Sequence, residues 1–371
     1  MTAEDAAVGT VAERTARPDF MSMTPEELEA FVVSLGEKPY RAGQLFSWMA
    51  KGAPLDEMTN LSAPFRKKLA EYGEYRLPVI EKKLVSRIDG TVKYLFSLAD
   101  GECVESVFMR YEHGTSLCVS SQAGCAMGCK FCASTLNGRV RNLTASEILG
   151  QAAAAARDTG ERVDGIVLMG IGEPLDNYDN VIRFLRLVSD SRGMGIGLRH
   201  ISLSTCGLAP RIRDLAGEGL PVTLSVSLHA PDDETRSALM PVNRRYNVAE
   251  LLSACRFYFE KTGRRVSFEY TLIAGRNDSR EDAGRLAAVL KDGMRCPCHV
   301  NLILLNEVAE TGLSTPDRRR AEEFRRELEK RGINATIRRR LGSDINASCG
   351  QLRLQKLAEK DAGGVSERPV C

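Results

Sequence analysis

Residues 117–135 read LCVSSQAGCAMGCKFCAST, in which a strand-like run leads directly into three closely spaced cysteines. Downstream, further strand-like runs alternate with helical runs. This alternation indicates βαβ units and a parallel sheet. Six repeats suit either a doubly wound sheet or an incomplete barrel, and in both the active site lies at the carboxyl ends of the strands. The predicted strands are 117–121, 165–169, 200–205, 222–228, 266–272 and 299–304, and the predicted helices are 144–157, 178–190, 208–217, 248–262, 279–291 and 316–331.

Upstream of these repeats, the sequence predicts a small helical domain followed by two linked β-hairpins. Thr24 and Glu27 form a capping box at the start of the first helix. From about residue 80, apolar and polar residues alternate, and Asp-Gly pairs at 89–90 and 100–101 mark turns. The resulting organisation is a disordered tail (1–20), a small helical accessory domain (21–78), a β-hairpin linker (79–116), a main domain of alternating strands and helices (117–356) and a flexible C-terminal tail (357–371).

The composition is that of an ordinary soluble protein, with 43% hydrophobic and 27% charged residues in a chain of 371. Fifty-one basic residues balance 49 acidic ones, which excludes a uniformly basic nucleic-acid binder but allows a local basic face. No apolar run approaches the roughly 18 residues that a membrane span needs. The N-terminus also lacks the apolar segment of a signal peptide. We therefore expect a cytoplasmic protein.

Eleven cysteines are an excess for such a protein. In a reducing compartment, cysteines serve as metal ligands, catalytic thiols or small buried side chains more often than as disulfides. Cys125, Cys129 and Cys132 are close enough on one loop to converge on zinc or an iron–sulfur centre. A structural zinc needs a fourth ligand, for which the other close pair is Cys296 and Cys298. A three-thiolate [4Fe–4S] cluster instead leaves one iron open for a further ligand.

Several motifs carry a resemblance to a known family. The cysteine triplet, with Phe131 before its last member, resembles the signature of the radical S-adenosylmethionine (SAM) superfamily, and MGIGEPL at 169–175 resembles that superfamily's SAM-amine motif. In the same order along the chain, LCVSSQAGCAMGCKFCAST, RNLTASEI, LSVSLHAP, MPVNRRY and DINASCGQL resemble the 23S rRNA adenine-C2 methyltransferases, dual-specificity enzymes that also methylate certain tRNAs. The resemblance covers roughly residues 20–355.

The resemblance implies an α/β fold, a partial (βα)6 radical-SAM barrel with the cluster at its mouth. It also implies one [4Fe–4S] cluster per chain, held by Cys125, Cys129 and Cys132, with the open iron chelating SAM. Two SAM molecules would be consumed per turnover. The implied SAM contacts are Gly172, Glu173, Ser204, Ser227, Leu228, His229 and Asn306.

Two isolated cysteines and one glutamate gain roles from the resemblance. Cys349 matches the methyl-carrying cysteine: one SAM methylates its thiolate, and a 5′-deoxyadenosyl radical from a second SAM removes hydrogen from the S-methyl group. The resulting methylene radical adds to adenine C2 and gives a protein–RNA adduct. Cys118 would resolve the adduct through a transient disulfide with Cys349. Glu105 matches the proton acceptor.

The implied substrates are an adenosine in the peptidyl-transferase region of 23S rRNA and one in the tRNA anticodon loop. The other implied partner is an electron donor such as flavodoxin or ferredoxin, and the expected state is a monomer. The arginine run 338–340, which precedes Cys349, suits phosphate contact. In the accessory domain, charge and stacking surfaces for RNA would come from Lys38, Tyr40, Arg41, Trp48 and Lys51.

Two other functions remain as alternatives. Methylation of adenine C8 is a sister activity that shares the fold, the cluster and both cysteines. A zinc-stabilised RNA-binding module without catalysis is a different class of protein, and it leaves the pair Cys118 and Cys349 and the MGIGEPL motif unexplained.

Overall fold

The computed structural model describes residues 17–347 and 350–363. Its strands, numbered in chain order, are β1 (Val79–Val85), β2 (Val92–Ser97), β3 (Cys103–Tyr111), β4 (Gly114–Cys118), β5 (Gln122–Gly124), β6 (Arg139–Asn142), β7 (Gly165–Leu168), β8 (Ile201–Thr205), β9 (Thr223–Ser227), β10 (Val266–Leu272), β11 (Cys298–Leu304) and β12 (Asn334–Ile337). One ten-stranded sheet has the order β1-β2-β3-β4-β7-β8-β9-β10-β11-β12, and β5 pairs with β6 in a separate sheet.

Helices precede the sheet and then alternate with its later strands. None of these described helices combines the length and the hydrophobicity that crossing a membrane requires. They are α1 (Pro25–Ser34), α2 (Tyr40–Ala50), α3 (Ala63–Tyr72), α4 (Ala145–Thr159), α5 (Tyr178–Ser189), α6 (Ala209–Gly217), α7 (Asp233–Leu239), α8 (Val248–Thr262), α9 (Arg280–Met294), α10 (Arg318–Lys330) and α11 (Gln351–Gly363).

The parallel part of the sheet runs from β4 to β12, and every neighbouring pair within it is parallel. Neighbours follow chain order without a reversal. A doubly wound sheet reverses its strand order at a switch point, so this winding is that of an incomplete barrel. All six predicted strands form, which confirms the partial-barrel fold and places the carboxyl ends of the strands at one mouth.

The two predicted hairpins also form, with Asp89-Gly90 and Asp100-Gly101 in their turns. They are continuous with the barrel sheet because β3 pairs antiparallel with β4, in a register that sets Val107 opposite Cys118. The segment predicted as a linker is therefore an extension of the barrel sheet. This pairing brings side chains of β3 to the barrel mouth.

The N-terminal helices begin with the predicted capping box: the Glu27 N–H donates to the Thr24 hydroxyl, and the Thr24 N–H donates to the Glu27 carboxylate. The helical region packs directly on the barrel. The Ser146 N–H, in the first turn of α4, donates to the Ser22 hydroxyl at 3.0 Å. Phe20 is fully buried in the common core, so the packed chain begins before residue 21.

The other end of the chain also differs from the expectation. Helix α11 continues to Gly363, within the segment predicted to be a flexible tail. The polar residues on its exposed face are typical of a flexible tail. Its first turn is nevertheless fixed by residues that are distant in the sequence, since Leu352 packs against Leu95 and Cys103. The short helix α7, capped by Asp232, is a further element that the sequence did not predict. Residues 1–16, 348–349 and 364–371 lie outside the described residues.

Candidate active site

The three clustered cysteines occupy a tight loop between β5 and β6. The Cys125 N–H donates to the carbonyl of Gly138 at 2.9 Å. The Thr135 hydroxyl donates to the carbonyls of Cys129 (3.1 Å) and Cys132 (3.0 Å) and so closes the turn. All three cysteines line one cavity of about 230 Å³ at the carboxyl ends of the parallel strands. The structure therefore brings the predicted cluster ligands to one site.

The chemistry of these thiols suits a multinuclear centre. Burial raises the pKa of the Cys125 thiol to about 12 and raises that of Cys129 as well, so a bound metal must displace their protons. Soft thiolates are the ligands of iron–sulfur clusters. The pair Cys296 and Cys298, from which a structural zinc would draw its fourth ligand, does not line this cavity.

Gly172 and Glu173 form the next wall of this cluster cavity. Gly172 has a φ of +110°, and a Cβ there would lie 2.7 Å from Gln122, so only glycine fits. The Glu173 carboxylate is 3% exposed and accepts the N–H groups of Cys206 (2.6 Å) and Leu175 (3.0 Å). Burial raises its pKa. A carboxylate in this position is suited to pair with a cationic group of a ligand.

His229 also lines the cluster cavity, together with Ser204 and Ser227 at the ends of β8 and β9. Its Nδ1 accepts the Thr271 N–H at 2.9 Å, and its ring meets Phe131 edge-on at 4.8 Å. Burial lowers its pKa to about 3, which keeps the ring neutral. Since Nδ1 accepts, Nε2 carries the proton, and the ring presents one fixed tautomer.

Two predicted SAM contacts lie elsewhere. Leu228 is fully buried and does not line the cluster cavity, while Asn306 lines an adjoining one. Conversely, Glu269 is a site residue that the sequence did not predict, a buried carboxylate on β10 that lines the cluster cavity and accepts the Asn301 amide N–H at 2.7 Å. The sequence feature that marks Glu269 is its acidic side chain within the otherwise strand-like run VSFEYTL.

A second cavity, of about 180 Å³, adjoins the cluster cavity, and Met169, Ile303 and Arg338 line both. The exposed arginine run 338–340 and the buried Cys118 border it. Among the described residues that line it, none is acidic. We call it the arginine cavity. It is suited to an anionic ligand whose reacting part must reach the cluster cavity.

Cys349 and Ser348 are outside the described residues, but the chain on both sides of them is described. Ala347 packs in one apolar cluster with Cys118, Val107 and Met109. On the other side, the Gly350 N–H donates to Glu105 at 3.0 Å. The described neighbours of Cys349 are thus held beside two of the residues that the resemblance grouped with it.

Glu105 belongs to an ion pair buried between β2 and β3. Lys93 Nζ lies 3.0 Å from Glu105 Oε2, and the side chains are 0% and 1% exposed. Lys93 also donates to the Asn346 carbonyl at 2.9 Å, and the Arg353 N–H donates to Glu105 Oε1 at 2.8 Å. One ion pair therefore fixes the chain before residue 348 and the N-terminus of α11.

Comparison with known proteins identifies the family. The profile of the radical SAM superfamily matches residues 119–287, and that of the "Ribosomal RNA large subunit methyltransferase N-terminal domain" matches residues 19–74. A relative from Alkaliphilus oremlandii, named "Probable dual-specificity RNA methyltransferase RlmN", is 52% identical over 91% of this chain and 98% of its own. The chain belongs to the RlmN family. A relative of the same name from Lachnospira eligens is 48% identical, over 93% of this chain and 99% of its own.

The RlmN family fold is also seen in a crystal structure. A radical SAM methyltransferase from Sphaerobacter thermophilus superposes with a TM-score of 0.86 at 43% identity, covering 90% of this chain and 98% of the other. Membership of the RlmN family makes this chain a SAM-dependent RNA methyltransferase. Membership of the radical SAM superfamily implies a [4Fe–4S] cluster and SAM, in agreement with the expectation from the cysteine triplet.

Proposed function

We propose that this RlmN-family enzyme methylates C2 of an adenosine in the peptidyl-transferase region of 23S rRNA and C2 of an adenosine in the tRNA anticodon loop. The observation that carries the proposal is the junction of the two cavities. The arginine cavity, which holds Cys118, meets the cluster cavity at Met169, Ile303 and Arg338. A target base that is flipped out of its stack could reach this junction while the phosphates of its RNA strand stay near the arginines of the arginine cavity.

In this proposal Cys125, Cys129 and Cys132 hold one [4Fe–4S] cluster, which when bound supplies the electron that cleaves SAM reductively. The surrounding residues orient SAM. The Glu173 carboxylate pairs with its ammonium group, and Gly172 allows the backbone to approach. Further contacts come from Ser204, Ser227 and His229 and, from the arginine cavity, Asn306. Two SAM molecules are used per turnover, one for the methyl group and one for the radical.

Cys349 is the proposed methyl carrier, and Cys118 the residue that releases the product. The support is the packing of Ala347 against the cluster that contains Cys118. The Cys118 sulfur attacks the Cys349 sulfur of the adduct, and the sulfur–carbon bond breaks with its electron pair passing to the methylene carbon. A proton then completes the methyl group, and a thiol reductant resets the disulfide.

Glu105 is the proposed proton acceptor for adenine C2. Its carboxylate lies within hydrogen-bond distance of the Gly350 N–H, next to the carrier cysteine. To become the closed-shell thioether that Cys118 attacks, the radical adduct must lose one electron, which returns to the oxidised electron donor, and the C2 proton, which a base next to Cys349 must accept. The same carboxylate also anchors α11 through the Arg353 N–H, so it combines positioning with the proposed proton transfer.

The proposed electron donor is a flavodoxin or ferredoxin, and the proposed active state is a monomer. The helical accessory domain (21–78) is proposed to bind RNA beside the barrel domain (117–356). Tyr40 is 58% exposed and available for stacking on a base. Lys51 Nζ lies 5.2 Å from the centre of the half-buried Trp48 ring. Arg41 instead pairs with Glu37 at 3.1 Å, and Lys38 is exposed.

The product of the reaction tests the proposed function. Anaerobically reconstituted protein, with a reductant, SAM and a 23S rRNA fragment or tRNA, should yield 2-methyladenosine on nuclease digestion and mass spectrometry. Cys349→Ala should yield none, whereas Cys296→Ser, at the amino end of β11 and away from the mouth, should remain active. Formation of 8-methyladenosine would assign the sister activity, and no methylated adenosine from cluster-loaded protein would refute the proposal.

The arginine cavity leads to a separate prediction about RNA affinity. The double variant Arg339→Gln, Arg340→Gln should weaken RNA binding. The slope of log association constant against log salt concentration is negative, and its magnitude should decrease by roughly two, because each lost phosphate contact removes about one unit. The matched control is Arg319→Gln on α10, where an exposed arginine faces Glu323 rather than a cavity. Binding measured by filter retention at several salt concentrations that shows equal slopes for both variants would exclude phosphate contact at this cavity.

A further inference from the structure

Arg236, in the short helix α7, is a fully buried guanidinium with an unusual set of partners. Its side chain is 0% exposed. It donates to the carbonyls of Cys206 (2.7 Å), Ser227 (3.0 Å) and Leu228 (3.2 Å) and to the side-chain oxygen of Asn243 (2.9 Å). All four acceptors are neutral. A buried charge normally requires an opposite charge as well as hydrogen bonds.

The described surroundings of Arg236 contain no direct ion-pair partner. The carboxylate of Asp233 is connected to it through Asn243, whose amide donates to Asp233 Oδ1 at 2.9 Å. Burial lowers the pKa of Arg236, whereas the nearby thiols of Cys206 and Cys129 favour its charged form. Two of its hydrogen bonds, to the carbonyls of Cys206 and Ser227, end on residues that line the cluster cavity, so the guanidinium lies against that wall with no described carboxylate bonded to it directly.

The helix that carries Arg236 is attached to the cluster loop. The Lys130 N–H, between two of the three ligand cysteines, donates to the Leu239 carbonyl at 2.9 Å. Cys206, whose carbonyl accepts from Arg236, lines the cluster cavity and packs in the same apolar group as Cys129. The buried cation therefore lies directly behind the wall of the cluster cavity.

We propose that Arg236 is the buried counter-cation of the iron–sulfur cluster and that it makes the cluster easier to reduce. A cluster with three thiolate ligands is negatively charged, and it gains a further negative charge when the electron donor delivers one electron. A fixed positive charge in a water-excluded site favours that more negative state, so it raises the reduction potential. This inference rests on the cluster ligands assigned in the proposed function, but not on the RNA substrate or on the methylated carbon.

The test is the midpoint potential of the cluster, measured by electron paramagnetic resonance during an anaerobic redox titration. Arg236→Gln keeps amide donors and loses the charge. At a fixed solution potential, its ratio of reduced to oxidised cluster should fall at least tenfold, which is about 59 mV for a one-electron couple. Arg236→Lys, which keeps the charge, should recover most of the shift. Lys130→Met, which removes an exposed cation from the cluster loop, should give a much smaller shift because water screens it.

The iron and sulfide content of each variant shows whether it holds a full cluster, and its thermal unfolding shows whether it is folded. These two measurements separate a change in potential from a loss of the cluster. An Arg236→Gln variant with a full cluster and the wild-type potential would overturn the proposal. Equal loss of the cluster from the Gln and Lys variants would assign the side chain to scaffolding and overturn it as well. Wild-type protein that binds no cluster would refute the ligand assignment itself, a different result from a wild-type cluster whose potential does not depend on Arg236.

Discussion

Protein carrying Cys118→Ala, purified from growing cells, is expected to contain RNA bound covalently to Cys349. Mass spectrometry of the nuclease- and protease-treated protein should find a peptide around residue 349 joined to adenine C2 through a single methylene group. Multiple turnover should be lost entirely. This expectation follows from the proposed division of roles, in which Cys349 forms the adduct and Cys118 breaks it.

The structure explains why Cys103 is not expected to replace Cys118. Cys118 lies at the end of β4 in the arginine cavity, in the apolar cluster that also contains Ala347. Cys103, on β3, belongs to a different apolar cluster, with Leu95 and Leu352. A resolving thiolate must attack the sulfur of the adduct directly, so a cysteine in another cluster cannot act for it.

The double variant Cys118→Ala, Cys349→Ala is the matched control and should carry no RNA. Linkage through adenine C8 would keep the carrier mechanism and change the methylated carbon. Reconstituted Cys118→Ala protein that turns over normally and carries no adduct would remove Cys118 from the mechanism.

Replacement of Lys93 by methionine is expected to cause the largest loss of stability of any single change considered. It leaves the buried Glu105 carboxylate without its cation, and breaking a buried ion pair in this way costs about 3–5 kcal/mol. The Asn346 carbonyl loses a hydrogen-bond donor at the same time. Urea denaturation followed by circular dichroism should show the loss as a lower free energy of unfolding.

The double variant Lys93→Met, Glu105→Gln removes both charges and should recover a large part of the loss, because the neutral amide oxygen can still accept a backbone N–H. Lys82→Met, at an exposed position of β1, is the control and should change stability by less than about 0.5 kcal/mol. If Lys93→Met were as stable as the control, the two backbone N–H groups would be sufficient partners for Glu105.

The sequence predicted features that depend on local chemistry. The Thr24 and Glu27 capping box, the Asp-Gly turns and the six parallel strands all follow from residues close together in the chain. The choice between a barrel and a doubly wound sheet was open, because strand–helix alternation is the same in both. It is decided by which strands pair, which is a long-range property.

The residues that support the site could not be recognised in the same way. Lys93 lies on a strand whose alternating sequence predicts one exposed face, and its partner Asn346 lies 253 residues further along the chain. Arg236 sits in the polar run DDETRSAL, where an arginine reads as a solvated side chain. Both are buried by tertiary packing alone. Glu269 was hidden for a related reason, since a single carboxylate in a strand does not reveal which cavity the strand borders.

The attachment of α11 to Glu105 has a consequence for biosynthesis. The carboxylate and the Arg353 N–H that it accepts are 248 residues apart in sequence. Ribosomes add about 5–20 residues per second, so the glutamate waits roughly 12–50 s for these partners to be synthesised. Because sheet neighbours follow chain order, the barrel can grow during translation. The contacts that flank residues 348–349 can form only after the barrel strands have been made, so a chain that ends just before Asn346 has all the barrel strands but lacks the segment of the proposed carrier, Cys349.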